Sequence, residues 1–120
     1  MIRASREVHT FETDHGAAKI PLYDILWAEE TCEGAQLLTR LHLADRVVTC
    51  KKSLDELLSL PGSMFLFCLI SGAVNQLRIR SFEDDKIVMD NGEKLAISPF
   101  LSERFRQQYC GNLAHWVWED

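Results

Sequence analysis

Met64-Phe65-Leu66-Phe67-Cys68-Leu69-Ile70-Ser71-Gly72-Ala73-Val74-Asn75 holds the longest apolar stretch of the sequence, and its reading decides the fold. The stretch is far short of the roughly 20 residues that a membrane-spanning helix needs, so no membrane association is expected. Its Phe, Leu, Ile and Val content suits a buried strand. Asn75, at its end, reads as a turn or strand-end residue whose amide satisfies backbone groups.

Upstream of this stretch the pattern is already β. Ile20 and Leu22 alternate, then Ile25 and Trp27 alternate in the opposite phase, which calls for a turn or bulge at Tyr23-Asp24 between two short strands. Leu37, Thr39, Leu41 and Leu43 share one strand face, with Leu38, Arg40 and His42 on the other. Ala44-Asp45 is a tight connection to the β-branched run Arg46-Val47-Val48-Thr49-Cys50, so the two segments form a hairpin. Ser53-Leu54-Asp55-Glu56 sets a hydroxyl and a carboxylate three positions apart, the spacing of a capping box. The short helix it starts has Leu54, Leu57 and Leu58 on its apolar face, ends at Pro61-Gly62 and lids a sheet.

Downstream, Leu77 and Ile79 alternate with Arg78 and Arg80. Residues 86–90 and 93–98 flank Asn91-Gly92, whose left-handed preference suits a tight hairpin turn. Ser98 as N-cap, Pro99 at the first helical position, Leu101, Phe105 and Tyr109 at a spacing of four, and Gly111 past the end predict a C-terminal helix. The tail from Ala114 to Trp118 alternates only weakly.

A chain of 120 residues, 47% hydrophobic and 26% charged, can bury a core of its own and is expected to form one domain. Before any apolar h-region can form, the N-terminus turns charged at Arg3, Arg6 and Glu7, so a secretory signal is not expected and a cytoplasmic location is. The four cysteines, Cys32, Cys50, Cys68 and Cys110, lack the short paired spacings of zinc or redox sites and read as reduced structural thiols. A net charge of −5 argues against a broad basic surface but leaves room for a local basic stripe among the 13 Lys and Arg.

Taken in order, Asp24-Ile25-Leu26-Trp27-Ala28-Glu29, a hairpin, Ser53-Leu54-Asp55-Glu56-Leu57, Phe65, Val74-Asn75, Ile79, Asn91-Gly92-Glu93 and Ile97-Ser98 resemble the LytTR family. That family is a bacterial DNA-binding module, usually attached to a response-regulator receiver. The resemblance implies one LytTR-like domain over residues 1–120, with its core at about 19–109 and a C-terminal extension at 110–120. The implied fold is mainly β, with elongated antiparallel β-sheets, one short helix and a C-terminal helix. The implied function is a stand-alone transcriptional regulator without a receiver domain, binding double-stranded DNA as a dimer on two half-sites. Loops would enter major grooves to read bases, while strands and the short helix would meet phosphates.

The same resemblance names the site residues. Gln36, Ser71, Lys86 and Ser98 are the candidates for phosphate contact, although serines also terminate strands and cap helices, and Ser98 already serves as the expected N-cap. The pairs Lys51-Lys52 and Arg78 with Arg80, the latter on one strand face, are candidates for a basic stripe. The alternative for both pairs is a solvated face, with Glu83-Asp84-Asp85 neutralising the arginines.

Three departures point the other way. Where the family carries a His-Arg or His-Asn pair before the serine of the apolar stretch, this chain has Leu69-Ile70, which offers at most contact with a thymine methyl. The family's Arg after the serine of the last strand falls on Pro99 or Phe100. In the loop after Glu29, Glu33 repels phosphate and only Gln36 keeps hydrogen-bonding ability. These substitutions support an alternative, an interaction or dimerisation module that pairs with itself or another regulator. Leu69, Ile70, Trp116 and Trp118 are the candidates for that surface.

No other chemistry is indicated. His9, His15, His42 and His115 are scattered, and no nucleophile, base and orienting group fall into a motivated set, so an enzyme is not expected. His9 and His15 bracket Glu12 and Asp14 without a metal-ligand spacing. The six glycines are isolated, which leaves no phosphate-cradling loop and no cofactor to expect.

Overall fold

A computed structural model describes residues 2–5, 7–113 and 116–119, and side chains over residues 7–109. The strands in chain order are β1 (Ile2–Ser5), β2 (Val8–Thr13), β3 (Gly16–Pro21), β4 (Ile25–Glu33), β5 (Gln36–Leu43), β6 (Val47–Cys50), β7 (Phe65–Phe67), β8 (Gly72–Asn75), β9 (Ile79–Glu83), β10 (Lys86–Met89), β11 (Lys94–Ala96) and β12 (Trp116–Glu119). Helix α1 is Leu54–Leu58 and helix α2 is Ser102–Leu113.

The apolar stretch that dominates the sequence becomes the hairpin β7–β8 at one edge of a seven-stranded antiparallel sheet, in the order β3-β2-β6-β5-β4-β8-β7. Every residue of β8 is buried, because both faces of the sheet are covered there. On one face Ile25, Ala28, Leu41, Phe65 and Ala73 pack with Leu54 and Leu57 of α1. On the other, Leu26, Cys68, Leu69 and Val74 pack with Ile87, Met89, Leu95 and Ile97 and with Phe105 of α2. A strand buried on both sides has no polar face, which is why this run does not alternate. Phe11, at 0% exposure, places β2 in the same packed unit.

Local expectations mostly hold. The phase change at Tyr23-Asp24 is a 3-10 turn, Leu22–Asp24, followed by a register shift between Ile25 and Trp27. β5 and β6 pair from Thr39 and Cys50 to His42 and Val47, with Ala44-Asp45 in the connection. Ser53 Oγ accepts from Glu56 N, and Ser53 N donates to Glu56 Oε1, both at 3.3 Å, completing the capping box. In the hairpin β10–β11, Gly92 N donates to Met89 O at 2.8 Å and Gly92 alone takes a left-handed φ of 88°. Asn91 instead accepts from Glu93 N through its side chain.

Five details differ from the sequence reading. Leu37 is exposed near the β4–β5 tip, whereas Leu38, expected on the other face, is buried. Arg78 and Arg80 do not share a strand face, since Arg78 ends a 3-10 turn, Gln76–Arg78, that Asn75 caps by accepting from Leu77 N. Ser98 is not a helix cap. Its N–H donates to Cys68 O and its carbonyl accepts from Leu101 N, so it closes a turn ahead of α2, whose first bond runs from Phe105 N to Leu101 O. Gly111 lies inside α2 rather than past its end. The weakly patterned tail forms β12, which pairs in parallel with β1, while Ala114 and His115 lie outside the described residues.

Candidate nucleic-acid interface

The loop from Cys68 to Ser71 joins β7 to β8, and its form follows from one close approach. A side chain on Gly72 would put a Cβ 2.6 Å from Ala28 O, so only glycine lets β8 lie against β4 there. Gly72 O accepts from Cys68 N and Leu69 N, and Ser71 O accepts from Glu30 N. Leu69, 8% exposed, points into the core and anchors the loop, whereas Ile70, 88% exposed, points into solvent. Two neighbours treated alike in the sequence therefore have opposite roles.

The turn after β11 is clipped to this loop by the bond from Ser98 N to Cys68 O, 2.8 Å. Ile70 lies next but one to Cys68, and Phe100 lies next but one to Ser98. Phe100 is 97% exposed, the most exposed large apolar side chain among the described residues. Beside the loop, Trp27, Glu29, Leu69, Ile70, Ser71 and Leu95 line a cleft of about 210 Å³. Ala96 also lines it and pairs across the sheet with Lys86, an exposed residue of β10.

Carboxylates around this end are held by internal partners. Glu29 Oε2 lies 2.6 Å from His42 Nε2, and the His42 ring stacks on Trp27 at 3.7 Å between centroids. Trp27 Nε1 donates to Glu93 Oε1 at 2.8 Å, and Leu54 N donates to Glu30 Oε2 at 3.2 Å. No sequence signal announced this network, because its members sit on four separate elements.

The structure gathers only part of the expected site. Ser71 is exposed beside Ile70, and Lys86 lies on the same end through Ala96. Ser98 is buried, so its hydroxyl is closed to a phosphate in this conformation. Gln36 is exposed farther out, on the β4–β5 tip opposite Glu33. β8 pairs with β4 only as far as Glu29, so that tip extends beyond its neighbour.

Arg78 is committed to structure. Its Nε donates to Asp90 Oδ2 at 2.8 Å, its Nη1 to Tyr23 O at 2.7 Å, and its guanidinium lies over the Tyr23 ring. Asp90, rather than the acidic run, neutralises it. Within that run Glu83 pairs with Lys94 at 2.7 Å, which holds its carboxyl below the usual range, and Asp84 O accepts from Arg106. Lys52 approaches Glu56 at 3.8 Å, and Lys51 and Arg80 are exposed. The side chains of Trp116 and Trp118 lie outside the described residues.

Two of the four thiols, Cys50 and Cys68, are buried, whereas Cys32 is exposed on β4 and the side chain of Cys110 lies outside the described residues. Burial pushes Cys68 up to about 12 and also raises Cys50, so neither forms the reactive thiolate readily. Among the described residues no helix is long and apolar enough to cross a membrane.

No protein-family model and no curated protein matches the sequence. Among solved structures, the chain is similar to the LytTr DNA-binding domain of a Bacillus cereus protein described as a methyl-accepting/DNA response regulator. The TM-score is 0.67 at 25% identity, over 87% of this chain and 96% of that one.

Proposed function

We propose that this LytTR-type domain binds double-stranded DNA and serves as a transcriptional regulator. The observation that carries the reading is the likeness over 87% of the chain to a domain whose described role is DNA binding. Ser71 and Lys86 are assigned to phosphate contact beside the β7–β8 loop, with Gln36 reaching from the β4–β5 tip. Lys51, Lys52 and Arg80 supply further positive charge, and Arg78 and Ser98 drop out because their groups are engaged or buried.

Glu29, Glu30 and Glu93 are each bonded to a donor of the protein, which turns their carboxylates away from the exposed face of the loop. Titration of short duplexes at several salt concentrations tests the reading. Phosphate contacts make affinity fall with salt at a log–log slope of about −0.9 for each phosphate neutralised. Lys86→Ala weakens binding uniformly across sequences and flattens that slope by about one unit. Absence of binding at low salt overturns the proposal.

A second reading has its own observation. Ile70 and Phe100 expose large apolar surface next to each other in the bonding pattern, which suits an interaction module that pairs with a second copy or another regulator. Sedimentation over a concentration series beside the duplex titration separates the two: self-association without duplex binding favours this reading, and tight duplex binding by a chain that does not self-associate overturns it.

A further inference from the structure

We infer that the free edge of β7 is a docking site for an extended acidic peptide, which joins the sheet as an added strand between α1 and α2. The inference is independent of the DNA-binding reading. Its starting point is the sheet order, which leaves β3 and β7 as the outer strands of the seven-stranded sheet. Outer strands that resist pairing carry charge or proline, and β3 has both, in exposed Lys19 and in Pro21. β7, Phe65-Leu66-Phe67, has neither.

The outward groups of β7 follow from its pairing with β8. Met64 O accepts from Gln76 N, and Cys68 N donates to Gly72 O, in a register that sets Leu66 opposite Val74. Residues 64, 66 and 68 therefore bond towards β8. In an antiparallel ladder the alternate residues, Phe65 and Phe67, aim N–H and C=O at the open edge. Phe67 is 43% exposed there.

This edge is a slot with two unlike walls. Phe65 packs with Leu54 and Leu57 of α1 on one face of β7, and Leu66 packs against the cluster of Phe105 of α2 on the other. Between the helices, Leu58, Phe65, Phe67, Leu101, Arg104 and Gln108 line a cleft of about 220 Å³. Arg104 and Gln108, four residues apart and both exposed, make the α2 wall polar. Leu58 and the two phenylalanines make the α1 wall apolar. Successive side chains of an added strand point to opposite walls, so the occupant that fits sets apolar residues towards Leu58 and carboxylates towards Arg104. Arg104 has no hydrogen bond or ion pair with any described residue, which leaves its charge open to that partner. Pairing with β7 of a second copy would instead bring two Arg104 side chains to one seam, where like charges repel.

The probe is the capped peptide Val-Glu-Val-Glu-Val, titrated into the isotope-labelled full chain and followed by amide NMR shifts and hydrogen exchange. It is expected to shift and protect the Phe67 amide. Two further peptides carry N-methyl groups on the valines or on the glutamates. Because only alternate residues of an added strand bond to the edge, one set should weaken binding, about fivefold for each bond lost, and the other should not. Arg104→Glu, an exposed change, should weaken the peptide about tenfold and favour Val-Lys-Val-Lys-Val instead. Phe67→Pro removes the outward N–H and should abolish binding, and melting establishes that both variants are folded. No shift at Phe67 with millimolar peptide overturns the inference. Equal loss from either methylated set overturns it as well, since binding is then ionic and without strand pairing. Protection of Phe67 that grows with protein concentration alone, or that a DNA duplex confers and the peptide does not, gives the edge to a different occupant and overturns it.

Discussion

The two ends of the β7–β8 hairpin lie in opposite surroundings. At one end Asn75 is 2% exposed, and its side chain donates to Leu22 O and Ile25 O while accepting from Leu77 N. At the other end Ile70 touches almost nothing of its own molecule. A buried polar residue and an exposed apolar residue both reverse the usual preference, and each reversal has a different cause. Asn75 ties three backbone groups, two of them through buried bonds, whereas Ile70 leaves a surface that only a partner can cover. The hairpin therefore divides into an end that maintains the fold and an end free to make contacts.

Asn75→Leu tests the first half most severely. The substitution fills space but removes the Asn75 bonds to Ile25 O and Leu77 N, while Leu22 O keeps its bond from Ile25 N, at about 1 to 3 kcal/mol for each buried group left unpaired. Urea denaturation should show a loss on the order of 3 to 4 kcal/mol. A loss below about 1 kcal/mol would mean that those groups find other partners and that the two ends differ less than their exposures suggest.

Gly72→Ala comes next, because it acts at the boundary between the two ends. A Cβ 2.6 Å from Ala28 O meets backbone rather than a flexible side chain, so β4 and β8 must separate. Overpacking of this kind costs about 1 to 3 kcal/mol. If the strain is relieved by tilting the loop, the melting temperature and the DNA affinity should fall together. A stability loss with unchanged affinity would show that the loop geometry does not depend on this contact.

Ser53→Ala makes a smaller change away from the hairpin. It removes the hydroxyl that accepts from Glu56 N, and helix caps of this type contribute about 1 kcal/mol. Because Leu54 and Leu57 cover the sheet face opposite Ile70, melting should shift while duplex binding stays unchanged. Thermal denaturation beside a binding titration measures both.

These examples also divide what the sequence reveals from what it conceals. The capping box, the Asn91-Gly92 hairpin and the role of Asn75 are legible because their chemistry is set by short spacings and by side chains that favour one local geometry. Ser98 looked like a cap by the same logic, yet its backbone N–H is taken by Cys68 O, in the β7–β8 loop far away in the sequence. Arg78 looked like a solvent-facing strand residue until Asp90 and Tyr23 O engaged it. The parallel pairing of β1 with β12 joins the two ends of the chain, and no local pattern encodes it. For the site, the replacement of polar readers by Leu69-Ile70 was visible, but the split between a buried Leu69 and an exposed Ile70 depends on packing across the sheet.

Ile70→Ser carries the smallest expected effect on stability, and for that reason it completes the comparison. A side chain 88% exposed loses little burial when truncated, so the change in unfolding free energy should stay within about 0.5 kcal/mol. Leu69→Ser, one position away, removes a side chain packed against Val74, Leu95 and Phe105 within one cluster and should cost several times as much. Side-by-side urea titrations of the two variants measure the contrast. Equal losses would mean that Ile70 packs somewhere in solution, on its own molecule or on a second copy. A stable Ile70→Ser variant with weakened duplex affinity would tie the exposure to contact rather than to folding.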